Sequence, residues 1–396
     1  MSVLRNVIIA IAAISFITFV ALFGQLPALR KTPIGWLQRA LCIYVPNRLH
    51  DVDRAVTGGR ITQHGKSLGS YLFYEKNPIV LILFLALLTG SATLFLWNAT
   101  HLLSRTLLAP VLVLLPAPYI FTYLCAAHTS HYITSMNHAD RLRDYPYDHI
   151  LFRPHAECST CKRSKPARSK HCSLCKACVA KSDHHCPWVN ACLGRGNYRW
   201  FLALLLSIGL LEYYGAFLCW WLLRDELRLK SNVAFFSSAF IQDIMDTFTR
   251  AIQAGGLSIA GVGMLTMATA LLPLGLLAYH LYLIWAGMTT NESQKWDDLR
   301  DDMNDGYAFG ASRSEVRKHM AKLQKSGRFL GMTADEYDEP AATWSKSSDQ
   351  ILASTADGKP PTGQEHLWHR VWHLSHIDNV YDLGGWNNFV EVMKGR

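Results

Sequence analysis

Apolar residues along this chain gather into long, nearly uncharged runs, not the short periodic stripes of a soluble fold. Asn6 to Leu29 carries no charge. Pro78 to Trp97 and Leu107 to His128 are almost wholly apolar. Trp200 to Leu223 holds one charge, Glu212, and Leu257 to Met288 holds none, only His280. A membrane-crossing helix needs about 20 apolar residues, so five transmembrane helices are predicted. One such run could be a buried core helix; five, bounded by Arg and Lys, read as spans. The apolar part of the first run is long for a secretory signal and its small-residue cleavage pattern is weak, so an uncleaved span is expected there.

The basic residues orient these spans. Arg30 to Lys76 carries eight Lys/Arg against three acids, and Asn137 to Arg199 carries twelve against five. Arg224 to Arg250 is balanced at four against four. The positive-inside rule places the first two segments in the cytosol. The expected order is then span 1 within 1–29 with a lumenal N-terminus, a cytosolic loop at 30–76, spans 2 and 3 within 77–128, and a cytosolic domain at 129–199. Span 4 at 200–223, a lumenal loop at 224–256, span 5 at 257–288 and a cytosolic tail at 289–396 follow. Composition agrees: 50% of residues are hydrophobic and 17% charged, below the roughly 25% charged of globular domains. The net charge of +9 follows from topology and contact with anionic lipid, and calls for no nucleic-acid partner.

Seven of the ten cysteines fall between Cys158 and Cys192, joined by His171, His184 and His185. In the reducing cytosol disulfides are rare. Cys158-x2-Cys161 and His171-Cys172-x2-Cys175-x2-Cys178 have the spacing that lets two thiolates on a tight turn reach one zinc ion. Ten candidate ligands exceed by two what two tetrahedral sites need. If each site is Cys3His, one cysteine and one histidine remain, and spacing alone does not say which. Cys186 lies outside any Cys-x2-Cys pair. With His184 and Asp183 beside it, it has the parts of an activated thiol: nucleophile, base, and a carboxylate to orient the base.

This segment resembles the DHHC-type protein S-acyltransferases, or palmitoyltransferases. The resemblance covers Cys158 to Phe201. It includes Lys165-Pro166-x-Arg168-x2-His171-Cys172, Asp183-His184-His185-Cys186-Pro187-Trp188 and Asn190-x-Cys192-x-Gly194-x2-Asn197-x3-Phe201. Thr289-Thr290-Asn291-Glu292 is similar to the family's Thr-Thr-x-Glu motif, although Thr followed by Glu three residues on also reads as a plain helix cap. Asn379 to Gly384 with Asn387-Asn388-Phe389 is similar to its C-terminal motif. The commonest family layout has four spans, so the extra N-terminal span is a departure.

The resemblance implies an α-helical polytopic membrane protein with about five transmembrane helices and a cytosolic cysteine-rich double-zinc domain of short β-hairpins. It implies two structural zinc ions, one on Cys158, Cys161, His171 and Cys178, the other on Cys172, Cys175, His185 and Cys192. Asp183, His184 and Cys186 are then the catalytic residues, with palmitoyl-CoA as acyl donor and an acyl-Cys186 intermediate. Thr290 would brace Asp183, Asn388 would anchor the tail motif, and a cavity among the spans would take the acyl chain. Partners implied are the lipid bilayer and membrane proteins with cytosolic juxtamembrane cysteines. The extra span and the tail pattern look most like the fungal endoplasmic-reticulum enzymes that acylate SNAREs.

Other expectations rest on the residues alone. Glu212 lies mid-span, where charge is expensive; His280 in the last span could partner it, and both could equally be buried, neutral and structural. Trp188 belongs either at the membrane interface or against the zinc lobes. Asn232 to Thr249 has apolar residues at helical spacing and suits a membrane surface, while Ser345 to Gln364 has the composition of a disordered linker. A membrane-anchored zinc module without chemistry would explain the ligands, but not an unligated Asp-His-x-Cys set. A zinc transporter would want more polar ligands inside the spans.

Overall fold

A computed structural model of the chain describes residues 16, 17, 20, 31–228, 237–325 and 339–395. They divide into two compact units, Met1–Lys76 and Asn77–Arg396. Apart from Phe16, Ile17 and Val20, the span expected within 1–29 lies outside the described residues.

The first unit is helical where the sequence suggested only a loop. Helices α1 (Pro33–Arg39), α2 (Val45–Thr57) and α3 (Arg60–Tyr74) follow one another. Val45, Leu49, Val52 and Val56 repeat at helical spacing along α2. Gly58 and Gly59 take left-handed φ and turn the chain. The Asp53 carboxylate accepts from the Ile61 and Thr62 amides, which supplies partners to the otherwise orphaned first turn of α3.

In the second unit, four helical stretches among the described residues are long and apolar enough to cross a membrane: Ile79–Leu102, Arg105–Ala127, Tyr198–Leu223 and Ser238–Trp285. The first contains α4 (Ile79–Ala99). The second breaks near Pro110 and Pro116 into α5 (Arg105–Leu108), α6 (Val111–Leu114) and α7 (Pro116–Ala127), because proline lacks the amide that continues a helix. After α8 (His138–Asp144) comes the cysteine-rich domain, then the long α9 (Tyr198–Leu223). Its Phe201, Leu204 and Leu205 enter one buried cluster and its Leu218, Cys219 and Leu223 another.

Ser238–Trp285 spans 48 residues, about 72 Å of helix and far more than the roughly 30 Å hydrocarbon core. It is not one rod. At Gly256 φ is +57°, and α10 (Ser238–Gly256) turns there into α11 (Val262–Thr269) and α12 (Leu271–Trp285). A Cβ at Gly255 would stand 3.0 Å from the Ala260 amide and from Leu223, so the turn is tight. Helix α10 buries Asp243, Thr247 and Ala251 and exposes Ile241, Met245, Phe248 and Ile252, the two-faced pattern expected of that stretch.

The cysteine-rich domain has two short antiparallel hairpins. Strand β1 (Lys170–Cys172) pairs with β2 (Ala177–Val179), and β3 (His185–Cys186) with β4 (Ala191–Cys192). In the tail, α13 (Thr290–Asn304) is followed by β5 (Ala308–Ser312), α14 (Arg313–Lys325), β6 (Gln350–Ser354), β7 (His369–Arg370) and α15 (Gly385–Met393). Strand β5 lies between β6 and β7, antiparallel to both. The stretch read as a disordered linker therefore contributes a strand. Leu352 buries against Met303, Ala308 and Val371, a non-local partnership that composition does not reveal.

Candidate active site

The two hairpins sort the cysteines and histidines by strand alternation. Successive side chains on a strand point to opposite faces. On β1, His171 falls in one cluster with Cys158, Cys161 and Cys178, while Cys172 falls in another with Cys175, His185 and Cys192. On β3, His185 joins that second cluster while Cys186 points away from it, into a membrane cavity. Lys162 and Lys176 take left-handed φ just after the second cysteine of each Cys-x2-Cys. In both turns the later backbone amide donates to the earlier sulfur at 3.4 Å.

Each cluster could hold a metal ion. A tetrahedral zinc site, with bonds of about 2.3 Å to sulfur and about 2.0 Å to nitrogen, sets an S···N edge of about 3.5 Å. In the first cluster the sulfurs of Cys158, Cys161 and Cys178 lie 3.5, 3.4 and 3.7 Å from His171 Nδ1. In the second, those of Cys172, Cys175 and Cys192 lie 3.8, 3.4 and 3.7 Å from His185 Nδ1. Three thiols and one imidazole at these spacings fit zinc chemistry.

Asp183, His184 and Cys186 stand apart from both clusters. His184 Nδ1 is 2.6 Å from Asp183 Oδ2. The Thr290 amide donates to Asp183 Oδ1 at 2.7 Å, and the Thr290 hydroxyl to Oδ2 at 3.1 Å. Burial alone would raise the Asp183 carboxyl, but the His184 contact outweighs it and holds the group below its usual range. Burial likewise works against a charged His184, yet the hydrogen bonds to Asp183 and Cys186 prevail and lift it to about 9. A proton is thus held on the ring at neutral pH, beside the sulfur.

The Thr289–Glu292 motif does two things at once. It is a true capping box on α13, with the Thr289 side chain accepting from the Glu292 amide and the Glu292 carboxylate from the Thr289 amide. It also carries Thr290 to Asp183. Arg168 secures it from the cysteine-rich side, donating to both Glu292 oxygens at 2.6 Å and to the Gly287 carbonyl at 3.3 Å. Its guanidinium packs on the rings of Tyr145 and Tyr381 at 5.0 and 4.7 Å. Both charged side chains are only 2% exposed. Nearby, Lys181 pairs with Glu391 of α15, and the Tyr145 hydroxyl donates to Glu391 at 2.5 Å. Asn388 is buried on α15. Its amide donates to the Trp285 carbonyl and to Asp382, and its oxygen accepts from the Leu383 amide, which fastens the tail motif to the end of α12.

His184, Cys186, Pro187 and Trp188 line one end of a cavity of about 560 Å³ whose walls are mostly apolar residues of α4, α9, α11 and α12. Along α9 it runs from Phe201 to Leu218, about 26 Å of helix. Trp188 is 54% exposed and meets Phe84 of α4 edge-on at 6.2 Å, so it packs against a span and not against the clusters. Glu212 and His280 are not partners. Glu212 lines the cavity and accepts from Thr269 at 3.1 Å, whereas His280 Nδ1 lies 2.7 Å from the Tyr198 hydroxyl.

A family model described as DHHC palmitoyltransferase matches residues 152–297. Palmitoyltransferase SWF1 of Neurospora crassa is 38% identical over 406 residues, covering 96% of this chain and 90% of the relative. The chain belongs to the DHHC palmitoyltransferase family. Palmitoyltransferase swf1 of Emericella nidulans is 38% identical over 99% of this chain and 97% of its own. That of Schizosaccharomyces pombe is 32% identical over 97% and 94%. To the residues singled out in the sequence of this DHHC palmitoyltransferase, the structure adds the clamp role of Arg168 and the contact of His280 with Tyr198. Arg168 stood in a quoted motif among several basic residues, with nothing to mark it as buried. The partner of His280 lies 82 positions away, beyond any local pattern.

Proposed function

We propose that the protein is a protein-cysteine S-palmitoyltransferase that carries a long-chain acyl group on Cys186, taken from palmitoyl-CoA. The observation that carries the reading is that Cys186 and His184 sit outside both clusters and face one end of the apolar cavity. The Cys186 sulfur, its proton passed to His184, attacks the thioester carbonyl. The bond to CoA breaks, and His184 returns the proton to the leaving thiolate. A substrate cysteine then repeats the exchange with His184 as base and takes the acyl group. One thioester replaces another in each half, so positioning matters more than driving force. Asp183, fixed by Thr290, holds the imidazole in the working tautomer. The chain lies in the cavity, where each buried CH₂ is worth about 0.8 kcal/mol.

Zinc held by the two ligand sets would give rigidity to the hairpins that present His184 and Cys186. Positive charge in 30–76 and 137–199 supports a cytosolic catalytic domain and the span order expected from the sequence. The likeness to palmitoyltransferases supports membrane-protein substrates; that these carry juxtamembrane cysteines, SNAREs among them, and that the site is the endoplasmic reticulum rest on the resemblance of the N-terminal run and tail pattern to the fungal endoplasmic-reticulum subfamily. The test is a clickable palmitate label on the protein in membranes, read with and without neutral hydroxylamine. Label on the wild type should be hydroxylamine-labile and absent from Cys186→Ser, with zinc content unchanged, while His185→Ala should lose zinc. No label on the wild type, or zinc loss in Cys186→Ser, would make Cys186 a ligand and the protein a binding module.

A further inference from the structure

The proposed chemistry requires His184 to keep one ring nitrogen on Asp183 while the other faces Cys186. Two side chains from the spans border that ring. Phe201 of α9 stands 5.7 Å away at 77°, and His280 of α12 lies 5.7 Å away and nearly parallel, at 22°. Phe201 also meets His280 edge-on at 5.2 Å. His280 is 1% exposed, and a polar ring in an apolar span is expensive unless partnered. Its partner is the Tyr198 hydroxyl, 2.7 Å from Nδ1, and the same nitrogen lies 3.9 Å from Asp183 Oδ2. Tyr198 and Phe201 are three apart on α9 and share a face. The first turn of that helix therefore supplies one wall of the histidine box and the pin that fixes the other.

We infer that His280, pinned by Tyr198, is a positioning residue that holds the His184 ring in the orientation acyl transfer needs. A leucine or phenylalanine would fill the same space in the span, but neither could hydrogen-bond to the Tyr198 hydroxyl. The hydrogen bond sets the angle of the His280 ring, and the parallel face of that ring sets the angle of His184. This role rests on the catalytic reading above and adds a membrane-side support to the one that Thr290 provides from the tail.

The test uses full-length protein in detergent with labelled palmitoyl-CoA. It reads the rate of hydroxylamine-labile labelling at saturating donor, the donor concentration at half-maximal rate, and zinc content. His280→Ala should slow labelling about tenfold or more, since small misplacements of a reacting group are costly, with half-saturation within about twofold of wild type and zinc retained. Tyr198→Phe, which removes a single oxygen, should slow it about threefold. Combining the two should be no slower than His280→Ala alone, because both act through one contact. Wild-type rates in His280→Ala, or losses that multiply in the double variant, would overturn the role. If His280→Ala loses zinc, Tyr198→Phe carries the test, and a wild-type rate there overturns it. An unlabelled wild type is a different failure, that of Cys186 as acyl carrier.

Discussion

Arg168→Ala removes one half of the buried ion pair that joins the cysteine-rich domain to α13. The Glu292 carboxylate would stay in the interior with the Thr289 amide, at 2.9 Å, as its remaining hydrogen-bond donor, and Tyr145 and Tyr381 would lose the cation packed on their rings. Breaking a buried pair from one side costs about 3–5 kcal/mol. At roughly 2 °C per kcal/mol for a unit of this size, Tm should fall by about 6–10 °C in a detergent melt. The charge, more than the packing, is responsible. Removing both charges in Arg168→Met with Glu292→Gln should therefore melt above either single variant, because an uncharged pair escapes the desolvation cost of an unpaired buried ion. The reasoning is refuted if Arg168→Ala melts within about 2 °C of wild type, or if the double variant lies below both singles.

Thr290→Val deletes the hydroxyl contact to Asp183 and leaves the amide contact; at about 1.5–3 kcal/mol for a hydrogen bond to a charged group, labelling of Cys186 should slow about 10- to 100-fold, while Thr290→Ser keeps most of the rate. Glu391 is pushed up by burial, but Lys181 and Arg168 outweigh that and hold it below its ordinary 4.5. Its folded value is depressed, so its contribution to stability is complete above pH 4.5 and drains away as pH falls through the folded value. Melts across pH 6 to 3 should show that loss in wild type and a flatter profile in Glu391→Gln; equal slopes would show that the pair does not contribute.

Much of this arrangement was legible in the chain. Each of the last four apolar runs overlaps one of the membrane-length stretches among the described residues, because a membrane-crossing helix has to be continuous and uncharged, but the last stretch begins at Ser238, well before the expected Leu257. The short cysteine spacings gave the two metal-competent turns, while the split of the ligands between them came only with the family resemblance. The three-stranded tail sheet was hidden, since β5 and β6 pair across a sequence gap that runs from Ser312 to Gln350 and neither strand has a strong period of its own. Arg168 was hidden for another reason: a guanidinium in a basic segment looks solvated until two tyrosines and a glutamate close around it. Of the two readings open for Glu212 and His280, the pairing is not the one that forms, because a sequence shows that two polar residues lie within spans, but not which faces of their helices they occupy.

On β1, His171 and Cys172 are neighbours in the chain but serve different clusters, and on β3, His185 sits in a cluster while Cys186 does not. Each metal position is thus bolted to the other through a single peptide bond, and the reactive sulfur to the second through one more. A metal lost from either place would loosen the strand that shapes its neighbour. Falling zinc supply would then act on this protein as a threshold, dividing the population into intact molecules and collapsed ones, with few half-supplied molecules working at reduced speed between them.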